Sequence, residues 1–338
     1  KKREETVAYH VEMETSAGNI QFSTKTRFMK EHGTYKMDWD DSVIFPDLTS
    51  EDKVKVQTIE AKRGKITDRD GILLAGQGEV DSIGIVPGKM KDDTVRRLAK
   101  ALDLTEEEIN KKLDQKWVKD TSFVPIQTMD GYPDEVLDIA GVMVSGTIQR
   151  VYPLGEAAAH LTGYVQNGEG KAGLEKLYDE KLKGKDGKMI SIQDENGRTK
   201  KKLAIKPEEN GQDLQTTIDR NLQQEIYEQF KKDKGAHCAM DPKSGEILAL
   251  VSTPSYDNQA LSWGMSQEDW KSLSQDEALP MQNRWKAVWC PGSSMKPIIG
   301  AIGLTEGKFT AEEDFGNNGT SWQKDKSWGG YYVTTLHG

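Results

Sequence analysis

Trp289-Cys290-Pro291-Gly292-Ser293-Ser294-Met295-Lys296-Pro297-Ile298-Ile299-Gly300 joins a bend, two hydroxyls and a lysine to an apolar run that continues to Leu304. Pro291 and Gly292 turn the backbone, and the apolar run predicts a buried helix whose first turn carries Ser293. Positions i and i+3 share a helix face, so Lys296 should point where Ser293 points. A serine hydroxyl is a weak nucleophile until a base takes its proton, and a partly desolvated lysine can be that base. The partial positive charge at a helix N-terminus disfavours a charged Lys296 and favours an oxyanion formed at Ser293. Pro297 is tolerated there, because a first-turn amide has no intrahelical acceptor to lose.

The tetrad Ser-x-x-Lys is weak evidence by itself. It recurs as Ser50-Glu51-Asp52-Lys53 and as Ser321-Trp322-Gln323-Lys324, both among charges and turn formers with no apolar run behind them. Shifting the frame to Ser294 fails, because Pro297 stands where the lysine is needed. Only Ser293 combines a preceding bend with a following core-type helix.

At 338 residues the chain is long for a single core and suits two or three domains. Its charged fraction of 30% against 35% hydrophobic residues predicts an elongated, soluble molecule with much surface. A net charge of −9 argues against nucleic acid or an anionic membrane as the main partner. No segment approaches the ~20 apolar residues that span a bilayer. The opening Lys1-Lys2-Arg3 lacks a methionine, so a fragment is expected, with any targeting segment upstream. Cys238 and Cys290 form no disulfide framework, and His10, His32, His160, His237 and His337 lack ligand spacing. No metal and no cofactor is therefore expected. Cys290 reads as a small packed residue, not as a second nucleophile.

The first 48 residues alternate with a period of two. Val7, Tyr9, Val11 and Met13 form one strand, and Ile20, Phe22, Thr24, Thr26 and Phe28 resume after a turn at Ser16–Asn19. His32-Gly33 turns the chain again before Tyr35, Met37 and Trp39. Such a sheet needs cover on its apolar face, which predicts N-terminal helices outside this sequence. Asp70-Gly71 signals a hairpin turn within the charged stretch Lys62–Gly71, read as an Arg–Asp structural network near a domain junction. Asp92 to Leu102 and Thr105 to Leu113 are predicted helices, the second opened by the capping box Thr105-Glu106-Glu107-Glu108. His160 reads as a packed helix residue, and Lys200 to Gly211 as a linker or exposed hairpin. A new domain is placed near Asp213, with a helix capped by Asp219 that carries Leu222, Ile226 and Phe230 on one stripe. Ala236–Met240 and Glu246–Ser252 form a hairpin about Asp241-Pro242-Lys243-Ser244-Gly245. A polar, Trp-containing excursion then leads to Asn283-Arg284. Trp322 and Trp328 read as core or loop packing in preference to the lining of a substrate cleft.

Several motifs, taken together, resemble the class B penicillin-binding proteins of the low-affinity, methicillin-resistance type of Gram-positive bacteria. Arg63-Gly64 through Asp68-Arg69 with Gly71 and Ala75 is similar to the opening of that family's pedestal domain. Tyr152-Pro153-Leu154-Gly155, His160-Leu161 with Gly163-Tyr164-Val165, and Gly173-Leu174-Glu175 resemble its later motifs. Thr217-Ile218-Asp219, Asp241-Pro242 with Gly245–Ala249, Pro254-Ser255-Tyr256-Asp257, Asn283-Arg284 and Pro291–Lys296 resemble its transpeptidase domain up to the nucleophile. Tyr35–Asp40 is similar to the end of its cone-shaped N-terminal domain.

The resemblance implies a multi-domain α+β fold. Residues 1–48 would be the end of a partial, antiparallel, nuclear-transport-factor-like domain, and 49–210 an elongated, non-catalytic pedestal of dimerisation type. Residues 211–338 would be the first part of a penicillin-binding/β-lactamase-like transpeptidase α/β domain. It implies a D,D-transpeptidase on the extracytoplasmic face of the plasma membrane, anchored by an N-terminal transmembrane helix absent from this chain. Ser293 would be the nucleophile, its amide an oxyanion donor, and Lys296 the general base. The implied partners are peptidoglycan stem peptides ending in D-Ala-D-Ala, β-lactam antibiotics bound with low affinity, and other cell-wall synthesis proteins, with no nucleic acid.

The family's Ser-x-Asn and Lys-Thr/Ser-Gly motifs do not follow Ser293, and Lys243-Ser244-Gly245 reads as a turn. Only 45 residues follow Ser293. The remaining C-terminal part of the same protein is therefore expected elsewhere, and this fragment alone is expected to be inactive. A β-lactam sensor and a non-catalytic cell-wall scaffold are the alternatives. The pedestal-type motifs oppose the sensor, and loss of penicillin labelling on Ser293→Ala would oppose the scaffold.

Overall fold

The computed structural model describes residues 4–314, 316 and 319–334. His337 and the opening Lys1-Lys2-Arg3 lie outside the described residues. Contacts divide the chain into two compact units, Lys1–Lys286 and Ala287–Gly338.

The alternation near the N-terminus yields a three-stranded antiparallel sheet of β1 (Glu4–Thr15), β2 (Gly18–Glu31) and β3 (Thr34–Asp38), in that order. Its cover is partly inside the chain. Ala17, Ile20 and Phe45 are buried with Ile190, Ile192 and Ala204, and Phe22 packs against that cluster. The cover expected from helices outside this sequence is thus supplied for β2 from within the chain, while Val7, Tyr35 and Met37 are exposed. The source of the cover is a second sheet, ordered β12 (Thr199–Lys206), β11 (Gly187–Gln193), β4 (Lys53–Ile59). Lys200 to Lys206, read as linker or exposed hairpin, is therefore the outer strand of that sheet. Its alternation was masked by register shifts at Ile190/Ser191 and Ile192/Gln193.

A third sheet runs β13 (Leu214–Gln215), β5 (Ile66–Thr67), β6 (Leu73–Ile85), β7 (Val124–Met129), with β8 (Val142–Val151) also paired to β6. The β5–β6 turn is built by Asp68, whose carboxylate accepts from the amides of Asp70 and Ile72. Gly71 takes the left-handed φ of +82° that the turn requires. Helices α1 (Thr94–Leu102) and α2 (Glu106–Leu113) put Leu98, Leu102 and Ile109 against Ile83, Ile85, Val124 and Ile126. Thr105 caps α2 with both capping-box bonds formed.

Short elements follow: α3 (Ala159–Thr162), the ribbon β9 (Val165–Gln166) and β10 (Glu169–Gly170), α4 (Gly173–Leu177) and α5 (Asp179–Leu182). Helix α6 (Arg220–Phe230), capped by Asp219, packs on the antiparallel pair β14 (Gly235–Met240) and β15 (Ile247–Thr253). Its inward face differs from the expected stripe. Gln223 and Tyr227 are buried, whereas Phe230 is exposed and stacks on His237. Gln223 takes the inward position because its amide donates to the carbonyls of Ala157 and Leu250 and accepts from the Leu250 amide. The excursion after Asp257 is not irregular: it holds α7 (Asn258–Trp263) and α8 (Gln267–Gln275), capped by Asp257 and Ser266.

In the unit Ala287–Gly338, a 3-10 turn at Gly292–Met295 leads into α9 (Lys296–Thr305). Gly307, at φ +62°, closes the helix while the Lys308 amide donates to the Gly303 carbonyl, a Schellman-type end. Strands β16 (Ser321–Trp322) and β17 (Val333–Thr334) form a short hairpin. Trp322 meets Trp328 edge-on at 5.5 Å, and Trp328 meets Tyr331 at 5.8 Å, so the two tryptophans are loop packing.

Candidate functional site

Gly292 has φ +54°, a left-handed conformation that disfavours any side chain, and it reverses the chain just before Ser293. The Lys296 amide then donates to the Ser293 carbonyl. That i to i+3 bond makes a 3-10 turn, in which side chains three apart eclipse one another. Ser293 and Lys296 therefore project from the same side of the turn, as their spacing predicts. The neighbouring hydroxyl is engaged elsewhere, since Ser294 Oγ donates to the Pro291 carbonyl at 2.6 Å. No hydrogen bond of the Ser293 hydroxyl is made among the described residues. Neither competing tetrad runs into an α-helix as Ser293 does. Lys53 opens β4, and Ser321 lies in β16.

Burial is where expectation and structure part. Ser293 and Lys296 are exposed, and so are Ile298, Ile299, Ile302 and Leu304 of α9. On the helix only Gly303 is buried, beneath the ring of Phe309. The helix read as buried is thus uncovered among the described residues, and Lys296 lacks the desolvation expected of it. Cys290 is likewise exposed, not packed.

The segment that leads to this turn is tightly held. Arg284 is buried, and its guanidinium donates to the carbonyls of Ala278, Leu279 and Gln282. Its amide donates to Ser252 Oγ at the end of β15. His160 is buried as expected, its Nε2 bonded to the Pro280 carbonyl at 2.9 Å and its ring edge-on to Tyr256 at 5.0 Å. Burial holds the imidazole below its ordinary pKa. Asn258 donates to Thr162 Oγ1 and the Gly163 carbonyl, and Trp263 Nε1 donates to the Arg150 carbonyl. Helix α7 is thereby tied to β8 and α3.

One polar cluster was not assembled by sequence reading. Glu175, with no exposed side-chain surface, accepts from Arg63 and from Arg150. Arg63 also pairs with Asp179 at 2.8 Å, and Arg150 donates to the Gly64 carbonyl. The expected Arg–Asp network is therefore an Arg–Glu–Arg network with Asp179 at its edge, whereas Asp68 serves the turn. Arg63 and Glu175 lie in motifs quoted above, and Arg150 stands two residues before a third. Their pairing was hidden because Arg63 and Glu175 are 112 residues apart.

With this geometry in hand, comparison with known proteins is direct. Residues 58–216 match the family model for the penicillin-binding protein dimerisation domain. Residues 235–338 match the penicillin-binding protein transpeptidase domain, and 1–52 the NTF2-like N-terminal transpeptidase domain. The chain is 40% identical to penicillin-binding protein 3 of Bacillus subtilis, over 98% of its own length and 53% of the relative's. It is 30% identical to the peptidoglycan D,D-transpeptidase MrdA of Escherichia coli K12, over 78% of its length and 46% of the relative's. Among solved structures, a complex of penicillin-binding protein PBP2 and MreC from Helicobacter pylori matches with a TM-score of 0.58. That match, at 23% identity, covers 83% of this chain and 57% of the other and speaks for the fold. The chain spans about half the length of the curated relatives it matches.

These matches define a multi-domain α+β protein with an N-terminal, a dimerisation and a transpeptidase domain. The chain belongs to the class B penicillin-binding proteins.

Proposed function

We propose that the protein carrying this chain is a peptidoglycan D,D-transpeptidase with Ser293 as its nucleophile. In this reading Ser293 Oγ attacks the penultimate D-Ala carbonyl of a stem peptide and passes its proton to a neutral Lys296 Nζ. Lys296 would hand that proton to the amide nitrogen as the peptide C–N bond breaks, so that the terminal D-Ala leaves as an amine and a serine ester and a neutral Lys296 remain. An amine of a second stem peptide then attacks the ester, forming the new amide and releasing Ser293. The Ser293 amide, at the start of a helix, would donate to the oxyanion in both steps. β-Lactams would acylate the same hydroxyl, with low affinity.

The observation that carries the reading is the turn itself: glycine before Ser293, Ser294 diverted to Pro291, and Lys296 stacked on the Ser293 side. A lysine accepts a proton only when neutral, which requires burial of Lys296 beyond its exposure here. The proposal is therefore for the whole protein, with domains at 1–48, 49–210 and 211–338 and the missing motifs supplied by further chain. It would act on the outer face of the plasma membrane, beside other cell-wall synthesis proteins. The test is release of D-Ala from a D-Ala-D-Ala peptide or depsipeptide by the protein with its entire transpeptidase domain. Release abolished by Ser293→Ala supports the reading, and release unchanged by that substitution sinks it.

A further inference from the structure

The sheet of β12, β11 and β4 has two faces, and only one meets the N-terminal strands. Pairing puts Ile190 and Ile192 on the face shared with Ala17, Ile20 and Phe45. On the opposite face, Lys55 and Lys202 stand on either side of Ser191 in the same row, and Lys53 stands beside Gln193 in the next. Lysines two apart on a strand are ~6.6 Å apart, and Lys55 and Lys202, two strands apart, are ~10 Å apart.

Each of these cations lacks a carboxylate partner among the described residues, whereas the adjacent Lys200 and Lys201 are neutralised by Asp52 and Asp47. Exposed like charges ~10 Å apart repel only weakly in salt, and an anion placed between them would be attracted by both. A second observation points the same way. The Ser191 side chain is completely buried, and its hydroxyl has no hydrogen-bond partner among the described residues. Above it, Gln193 Nε2 donates to Gln57 Oε1 at 3.2 Å, a bridge that crosses the row of Ser191 and Lys55. A buried hydroxyl without a partner is costly, and a bridge between two exposed amides is readily exchanged for bonds to a ligand.

We propose that this face binds a linear phosphodiester polymer. A phosphate would sit between Lys55 and Lys202, accept from the Ser191 hydroxyl and from the Gln193 amide once the bridge opens, and a following phosphate would meet Lys53. A thin chain fits better than an anionic bilayer, because the patch is one sheet wide on a molecule of net charge −9. The inference is independent of the chemistry assigned to Ser293.

The test is titration of the chain with poly(glycerol phosphate) across a salt series, beside orthophosphate and vesicles of phosphatidylglycerol. The polymer should bind with a log–log salt slope of about −2, as release of counterions by three lysines implies. Lys55→Gln with Lys202→Gln should weaken binding at least about tenfold. Ser191→Ala should weaken it too while leaving the unfolding midpoint no lower, since it removes an unsatisfied group. Polymer affinity unchanged in the double variant, unchanged in Ser191→Ala, or exceeded by the vesicles would overturn the proposal.

Discussion

Arg150 Nη2 lies 2.6 Å from Glu175 Oε1, an ion pair whose two side chains are buried. Strand β8 and helix α4 are joined by this contact. The other carboxylate oxygen holds Arg63, in the segment between β4 and β5. Three separate parts of the pedestal therefore converge on one carboxylate. Removing it would leave two guanidinium groups poorly compensated. Glu175→Ala should cost about 3–5 kcal/mol in denaturant unfolding. Glu209→Ala, at an exposed pair with Lys185, should stay within about 0.5 kcal/mol.

Gly64 sits under the same cluster. A Cβ built on it would lie 2.1 Å from the Gln212 carbonyl oxygen, too close for any side chain. Its own carbonyl accepts from Arg150. Gly64→Ala should therefore push the Gln212 segment away and cost about 3 kcal/mol, read as a lowered unfolding midpoint with little change in denaturant slope.

The capping box at Thr105 makes a smaller, local prediction. Thr105→Ala removes the acceptor for the Glu108 amide and should cost about 1 kcal/mol, with recovery in Thr105→Ser.

His160 gives the pH dependence. Its folded pKa lies below the ordinary 6.5, first because burial disfavours the imidazolium, with Arg284 adding to the effect against the bonds to Pro280 and Pro254. Below pH ~6.5 the unfolded chain binds this proton more readily than the fold does. The stability it contributes is thus complete above that pH and falls as the medium is acidified. Melting followed between neutral pH and pH ~5 should show a drop that His160→Gln reduces; an equal drop in both proteins would refute the assignment.

What could be read from the sequence follows from the range of the interactions. The period of two in Val7–Met13 and Ile20–Phe28, the turn at Asp70-Gly71 and the cap at Thr105 are local, and each appears where the residues alone place it. The Ser293–Lys296 turn is local too. Helices α7 and α8 were missed because neither has a continuous apolar stripe, although Ser266 with Asp269 was a readable N-cap. Distant pairings were not legible. Nothing in Arg63 or Gln223 announces Glu175 or Leu250 as its partner, and an apolar run such as Ile298–Leu304 states that cover is needed without stating what provides it.

Lys296 separates the base from the nucleophile. Lys296→Ala in the protein with its whole transpeptidase domain should slow acylation by about a hundredfold or more, as expected when a general base is lost. The turn itself should persist, because the hydrogen bond from the Lys296 backbone amide to the Ser293 carbonyl does not involve the side chain. Acylation at the unaltered rate would assign the proton to another group.

The most direct test of the account is peptide mapping by mass spectrometry after exposure of that same protein to benzylpenicillin. The account predicts one acyl adduct, on the peptide containing Ser293, absent in Ser293→Ala and present in Ser294→Ala. An adduct on Ser294 or Cys290, or one that survives Ser293→Ala, would contradict it.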